Sequence, residues 1–567
     1  MLLFFLSVLA CILDFMVDIE RSFYYNLRMY IATIPNRGSP PALLLREGYR
    51  EGTQVRTRTL ANLTHWPAAR VEALRRCLKG EFDAIGTTSE PVSDRIFAVL
   101  FVLKEVAQRL GITAALGTQP LAKLALLLIL ARVAHQGSRL SAVRWVEEHA
   151  VAEILGIPQV DEDELYAALD WLAAHQDQIE NRLYRSYINR VSKPPVLVLY
   201  DVTSSYFEGE QNELAEYGYN RDGKKGKKQI VIGLLTADDG EPLAVKVFSG
   251  KTADSVTVAD QIEILKHRLQ IDEVVFVGDR GMVKAKGKAA LTAQRLKYIT
   301  ALTDPQVRKL LKKDVIQVDF FEEIAQAVEY GDLRLVLRRK EAVCRKEANR
   351  RRDKLVKLQH LVAARNEQVQ GSPRADPTVG LRRLSAWAKR HQLCSFVTLT
   401  LEDRQLTLGV DEDKQSDAAL LDGCYVIETD VSQEKMDAVT VDQRYRDLQQ
   451  VERNFRHMKT GLLEVRPIYV RKKNRTLGHV FAAMLALKLG RELEVGLKRA
   501  FGTTAAGENA LTITDALLCL SRMCLQRHQT AGQEFLTLPR PDAKQEAIFK
   551  ALAVLPPRSG VQKPARV

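Results

Sequence analysis

At 567 residues, with 46% hydrophobic and 27% charged side chains, the chain amounts to about 3.8 domain-sized units, which excludes a single small binding module, a disordered polymer and a coiled-coil rod. Its 83 Lys and Arg outnumber 70 Asp and Glu, giving +13 and an isoelectric point near 9.3, and three short runs hold the excess: 338–357 with 10 basic and 3 acidic residues, 221–228 with 5 and 1, and 466–475 with 5 and none. Concentrated basic patches on a nearly neutral body suit a polyanion such as nucleic acid, because each neutralised phosphate releases condensed counterions; a solvated helix face is the alternative for any one run.

In chain order, Met1 to Leu13 is apolar but has no basic flank, is followed by Asp14 and Asp18, and is too short to span a bilayer, so no membrane segment is expected. Residues 42–62 alternate β-branched and charged residues around Glu51-Gly52, predicting a small hairpin. From about 95 to 187 the apolar period becomes helical. The pair at 143–155 and 162–175 fits either a helix-turn-helix or generic helix packing, and generic packing is favoured.

Ser192-Lys-Pro-Pro marks a boundary, beyond which strands are predicted at 196–202, 229–237, 242–250 and 273–279, with helices at 256–270 and from Lys284. Three strands, a helix and a fourth strand is the order of a ribonuclease H-like α/β core. Short strand candidates at 333–337, 396–401, 404–410 and 424–428 surround a basic helix at 339–368, which reads as a β-rich insertion. A long helix is predicted over 441–459, then a strand at 464–470 and a final helical region.

Seven cysteines without a CxxC pair do not describe a disulfide framework, and a reducing cytoplasm fits. Cys519, Cys524 and His528 fall in an apolar stretch read as helical and lack a fourth ligand, so they are assigned to the core rather than to zinc. Gly502-x4-Gly507 is followed by Glu508 rather than Lys, no G-x-G-x-x-G follows a strand, and HExxH is absent.

Asp201 and Asp279 end the first and fourth strand predictions, where ligand sites of open α/β sheets form. Carboxylates there suit Mg²⁺ or Mn²⁺; simple loop capping is the alternative. On the predicted helix, Tyr445, Leu448, Glu452, Phe455 and Lys459 share an arc of about 80°. That mostly apolar stripe holds a carboxylate and an ammonium, which need partners when buried. An internal Glu452–Arg456 pair would supply one; a metal shared with the two aspartates would satisfy Glu452 better.

These residues resemble the DDE transposases of bacterial insertion sequences, the group with the signature Y-x2-R-x3-E-x6-K. Tyr445, Glu452 and Lys459 fall on its Y, E and K, and VLYDVTSSYFEG, GYNRDGKKGKKQIVIGLL and VFVGDRGM are similar to the segments around the family's two aspartates. The signature arginine is replaced by Leu448, with Arg444, Arg446 or Arg453 as possible substitutes. The resemblance implies a ribonuclease H-like core interrupted by a β-rich insertion and preceded by a mainly helical N-terminal region. The divisions expected are a non-native extension over 1–28, since the segment from Met29 is similar to the usual start, then 29–94 (β-containing), 95–191 (helical, DNA-binding), 192–300 and 431–500 (core), 301–430 (insertion) and 501–567 (helical region and tail).

It implies further that Asp201, Asp279 and Glu452 are catalytic and bind metal, two Mg²⁺ or Mn²⁺ ions in all. Tyr445, Arg456, Lys459, Lys224, Lys225, Lys227, Lys228, Arg471, Lys472 and Lys473 would contact double-stranded DNA, namely terminal inverted repeats and target, in a homodimeric synapse in the bacterial cytoplasm. The alternatives are a ribonuclease H-like nuclease without strand transfer and a non-catalytic DNA-binding protein.

Overall fold

The computed structural model describes residues 28–36, 39–51, 54–79, 90–135, 137–280, 282–459, 463–504, 507, 509–530 and 533–562, so the expectation for 1–28 falls outside the described residues but for Arg28. The chain forms two compact units. One holds the residues up to Asp94, Leu525–Pro539 and the segment from Ser559; the other holds Arg95–Cys524 and Arg540–Arg558.

The smaller unit opens with an antiparallel meander of β1 (Arg28–Asn36), β2 (Ser39–Glu51) and β3 (Gln54–Asn62), followed by α1 (Ala68–Leu78). The predicted hairpin is β2–β3, closed by the Glu51–Gln54 pair; β1 was not anticipated. The next strand is β4 (Glu90–Ile96).

In the larger unit, α2 (Ala98–Arg109), α3 (Ile112–Leu116), α4 (Pro120–Ala134), α5 (Arg139–Glu148), α6 (Val151–Leu155) and α7 (Glu162–Val191) make up the predicted helical block. α4 buries Ala122, Val133 and the unbroken run Leu124–Ala131, as an apolar stretch without a polar face must. A capping box between Asp161 and Glu164 starts α7, which runs 30 residues and buries Leu165, Leu169, Leu172, Ile179 and Leu183. α7 is therefore a core helix.

The central sheet has eight strands: β5 (Leu197–Tyr206), β6 (Gln229–Ala237), β7 (Pro242–Ser249), β8 (Val275–Gly278), β9 (Lys297–Ala301), β10 (Gln326–Tyr330), β11 (Leu333–Arg339) and, after two short hairpin strands β12 (Val397–Glu402) and β13 (Gln405–Val410), β14 (Cys424–Thr429). Their spatial order is β10-β11-β14-β9-β8-β5-β6-β7. β5, β8 and β9 are parallel, and β6 and β7 continue antiparallel from β5. Helix α8 (Asp254–Glu263), extended by a π turn at Ile264–Arg268, links β7 to β8, and α9 (Ala285–Ala293) links β8 to β9. Val198, Tyr200 and Val202 pack with Tyr184, Tyr187, Val258 and Ile262, so α7 and α8 cover one face of β5.

The expected β-rich insertion over 301–430 is corrected. After α10 (Asp304–Lys312), strands β10, β11 and β14 extend the central sheet, because Leu335, Leu337 and Val426 close a core with Leu302, Val307 and Phe321. Between β11 and β14 lie α11 (Glu341–Gln370), α12 (Pro377–Arg390), the β12–β13 ribbon and α13 (Glu412–Ala419). The helices and ribbon share their own core of Leu358, Val362, Leu384, Phe396 and Leu406. The inserted body is thus mainly helical.

The predicted helix over 441–459 is also corrected, into α14 (Ala438–Arg446) and α15 (Gln449–Lys459). The chain tightens at Asp447-Leu448: Leu448 N donates to Tyr445 O at 3.3 Å, and Arg444 pairs with Asp447 at 3.0 Å. α16 (Lys473–Phe501) then packs on α7, and Gly478 makes the approach close, since a Cβ there would stand 2.0 Å from the Leu169 carbonyl oxygen.

After α17 (Ile513–Leu520), the expectation of a helical region and tail over 501–567 is corrected. β15 (Cys524–Thr530), β16 (Gln533–Leu538) and β17 (Gly560–Gln562) join β4 in a four-stranded sheet, and α18 (Ala543–Ala551) lies between β16 and β17 in sequence. Cys519 ends up in α17, whereas Cys524 and His528 are on β15, with His528 bonded to Thr537 and stacked on Phe535.

Candidate active site

β5 runs on past Asp201 to Tyr206, so Asp201 lies within a strand rather than at its end. Its place in the sheet is set by register. Tyr200 is opposite Gly278 on the parallel strand β8, and the residues that follow, Asp201 and Asp279, leave that pair abreast. Alternation along β5 turns Asp201 away from the face of Tyr200, toward the side where α15 packs on β5. Glu452 is in the first turn of α15, where the positive end of the helix dipole favours a carboxylate.

The three acids line one cavity of about 480 Å³ together with Arg280, Asp304, Lys340, Tyr445, Arg446 and Leu448. A second cavity of about 340 Å³ shares Asp201, Asp279, Arg280 and Glu452, and adds Arg221, Asp254, Arg456 and Lys459. Burial raises the Asp201 carboxyl to about 7, opposed by a hydrogen bond from Val202 N (2.7 Å) and reinforced by the negative charges of Asp279 and Glu452. Asp279 and Glu452 are exposed, and the Tyr445 hydroxyl donates to Asp279 at 3.2 Å. Burial and the Asp279 charge hold that phenol above its ordinary value, so it stays a donor.

Hard oxygen donors whose charges repel one another in a partly buried cavity have the chemistry that a divalent cation relieves. Among the described residues, however, no group of three or more His, Cys, Asp or Glu side chains is arranged to hold a metal ion. The fit is therefore one of donor type and shared cavity, with two exposed carboxylates still able to change rotamer.

The predicted basic residues divide into two sets. Lys459 lies in the second cavity, but its ammonium pairs with Asp222 at 2.9 Å, and burial lowers its pKa. Lys224 sits over the Tyr206 ring, Lys227 pairs with Glu208 at 2.6 Å, and Lys225 is exposed. Lys228 reaches the Glu210 carbonyl at 3.5 Å. Arg471, Lys472 and Lys473 are exposed at the start of α16. The two basic segments meet beyond β5: Phe207 N donates to Lys228 O at 2.8 Å, and Ile468 N donates to Tyr206 O at 3.1 Å. Leu448 is 8% exposed in the larger cavity. Of the three candidate substitutes for the missing arginine, Arg446 lines that cavity, and it also pairs with Asp442 at 2.8 Å.

Sequence reasoning missed Arg221, Arg280, Lys340 and Asp222. Arg280 is the residue after Asp279, and Asp222 is the single acid in a basic run; both were readable signals. Lys340 and Val343 bring the start of the inserted helix α11 to the cavity, which only the fold could reveal.

Three carboxylates, one within β5, one just past β8 and one on the facing helix α15, share a cavity with Arg280, Lys340 and Arg446, an arrangement that suits a polyanionic ligand. The chain belongs to the DDE transposases: residues 192–489, more than half of its length, match the family described as the transposase DDE domain. Residues 31–90 match the N-terminal domain of IS1634 family transposases. It is a DNA transposase of the insertion-sequence type, a family whose members cleave and join DNA strands with divalent metal ions. No curated protein matches the chain. Among solved structures, a piggyBac transposase in a synaptic complex with hairpin DNA is similar over 82% of each chain, at 9% identity and a TM-score of 0.34. Among the described residues, no helix is long and apolar enough to cross a membrane.

Proposed function

We propose that Asp201, Asp279 and Glu452 are the catalytic carboxylates of a ribonuclease H-like core, which cleaves the ends of an insertion sequence and transfers them to target DNA. The observation that carries this reading is the Tyr200–Gly278 register, which sets the two aspartates abreast on the side of the sheet where α15 brings Glu452. The strand order β7-β6-β5-β8-β9, antiparallel on one side of β5 and parallel on the other, supports the ribonuclease H-like assignment.

Asp201, Asp279 and Glu452 would be the residues that hold two Mg²⁺ or Mn²⁺ ions. When bound, the ions supply a nucleophile at neutral pH and stabilise the leaving oxygen of an in-line phosphoryl transfer. The chain's own contribution is placement and neutralisation. The Tyr445 hydroxyl, now donating to Asp279, would orient the strand beside the scissile phosphate. Arg280, Arg446 and Lys340 would offset phosphate charge in the larger cavity, and Arg221, Arg456 and Lys459 in the smaller. Segments 221–228 and 466–475, joined beyond β5, would hold the flanking backbone through Lys224, Lys225, Lys227, Lys228, Arg471, Lys472 and Lys473. The helical block would read the terminal inverted repeats in a homodimeric synapse in the cytoplasm.

The test is a strand-transfer reaction on duplex DNA that carries the element's ends, with Mg²⁺. Cleavage to 3′-hydroxyl ends followed by joined products is expected. Cleavage that never yields joined products would favour the nuclease reading.

A further inference from the structure

Segment 221–228 is a basic run, yet its one acid is its most buried side chain with a charge: the Asp222 side chain is 1% exposed. Oδ1 accepts from the Lys459 ammonium at 2.9 Å and from the Arg466 guanidinium, and Oδ2 accepts from Tyr206 N at 3.0 Å. The surrounding turn is pinned as well, since Asp222 N donates to Asn220 Oδ1 at 2.9 Å and Arg221 N donates to Ser204 Oγ at 2.8 Å. A buried carboxylate with two cations and a backbone donor is fully satisfied, and its geometry is correspondingly fixed.

The partners matter because of where they stand in the chain. Tyr206 ends β5, the strand that carries Asp201. Lys459 ends α15, the helix that carries Glu452 seven residues earlier, about 10 Å along the axis. Arg466 opens the second basic segment. Strand and helix are each stiff, so a clamp at their shared end restricts how Glu452 can move relative to Asp201.

Resting on the catalytic assignment above, we infer that Asp222 is a positioning residue: it locks the end of α15 to the end of β5, setting Glu452 against Asp201 and holding Lys459 in the smaller acid cavity, with Arg466 tied to the same carboxylate. It touches none of the three acids and acts through the elements that bear them. This also accounts for a lone acid in a DNA-facing basic run, where a negative charge otherwise weakens phosphate binding.

The experiment uses the full chain with Asp222→Asn, which keeps shape and removes charge, and Asp222→Glu, which keeps charge and displaces it by one methylene. Affinity for end-containing duplex is expected to stay within threefold of wild type. Cleavage at saturating DNA should fall at least tenfold in Asp222→Asn, and the Mn²⁺ concentration giving half of the metal-induced rise in thermal midpoint should increase severalfold. Asp222→Glu should fall between wild type and Asp222→Asn on both readouts, and it decides the question alone if Asp222→Asn does not fold. Wild-type cleavage and an unchanged Mn²⁺ requirement in a folded variant would overturn the inference. A wild-type protein with no metal-dependent cleavage would overturn the catalytic assignment instead.

Discussion

Asp201 and Asp279 stand abreast because Tyr200 and Gly278 pair across parallel strands, although 78 residues separate them in sequence. The arrangement carries an electrostatic cost that is visible in Asp201, whose carboxyl is raised to about 7 by burial, with Asp279 and Glu452 adding to the shift. Functional sites commonly hold such groups against the interest of stability.

Asp201→Asn, Asp279→Asn and Glu452→Gln should each lower Mg²⁺-dependent cleavage by roughly 10²–10³-fold or more, the scale of removing a preorganised charge from a reacting centre. Binding of end-containing duplex in a gel-shift titration should stay within a few fold. In metal-free buffer Asp201→Asn should also unfold at a higher temperature than wild type, since it removes the most desolvated of three repelling charges. Full cleavage by any one variant would remove that residue from the site.

The inserted helix α11 offers a second measurement. Val343 lines the acid cavity, and Lys346, Arg350 and Lys357 follow it along nearly the same helical stripe, over about 21 Å of axis. If DNA leaving the cavity lies along this stripe, the triple change of Lys346, Arg350 and Lys357 to Gln should reduce the slope of log K against log salt by about 0.9 per lost contact, or between 2 and 3 in total. An unchanged slope would place the duplex elsewhere.

Leu448 occupies the signature arginine position, and Arg446 is the substitute that lines the same cavity. Arg446→Gln should therefore slow cleavage at least tenfold, whereas Arg444→Gln and Arg453→Gln should change it less than threefold. Rates at saturating DNA separate this from binding. Equal effects in all three would make the arginine contribution a diffuse field rather than one contact.

The core strands were legible because both faces of β5, β6 and β8 are covered, which writes an unbroken apolar run into the sequence. The acids were legible through the signature spacing. That spacing survives the break at Asp447-Leu448, although the side that α15 buries is that of Val451, Asn454, Phe455 and Met458 rather than that of Glu452. β10 carried no strand expectation, and β11 and β14 were harder to place: short strands such as these look alike whether they form a separate subdomain or extend a sheet, and only the long-range pairing of β14 with β11 and β9 decides. Asp222 was hidden for a related reason. Its partners, Lys459 and Arg466, lie more than 230 residues away, so its neighbours in sequence suggested a solvated loop.

The helical block carries a titration of its own. His149 is buried at the end of α5, its ring stacked on Trp145 at 3.9 Å while Nδ1–H donates to the Trp145 carbonyl at 2.8 Å. Burial is the main cause that pushes it down to about 4, with the Trp145 hydrogen bond opposing and the charge of His135 assisting. A histidine depressed from about 6.5 is neutral in the fold but protonated in the unfolded chain between those values, so the unfolded state binds more protons there. Its contribution is fully present above pH 6.5 and is lost as pH falls toward 4, by about 3 kcal/mol at the lower end. His149→Gln cannot take up that proton. Thermal midpoints measured from pH 7 to pH 4.5 should fall more steeply for wild type than for His149→Gln, with the two curves converging toward low pH. Parallel curves across that window would mean that the imidazole is protonated, and tolerated, inside the fold.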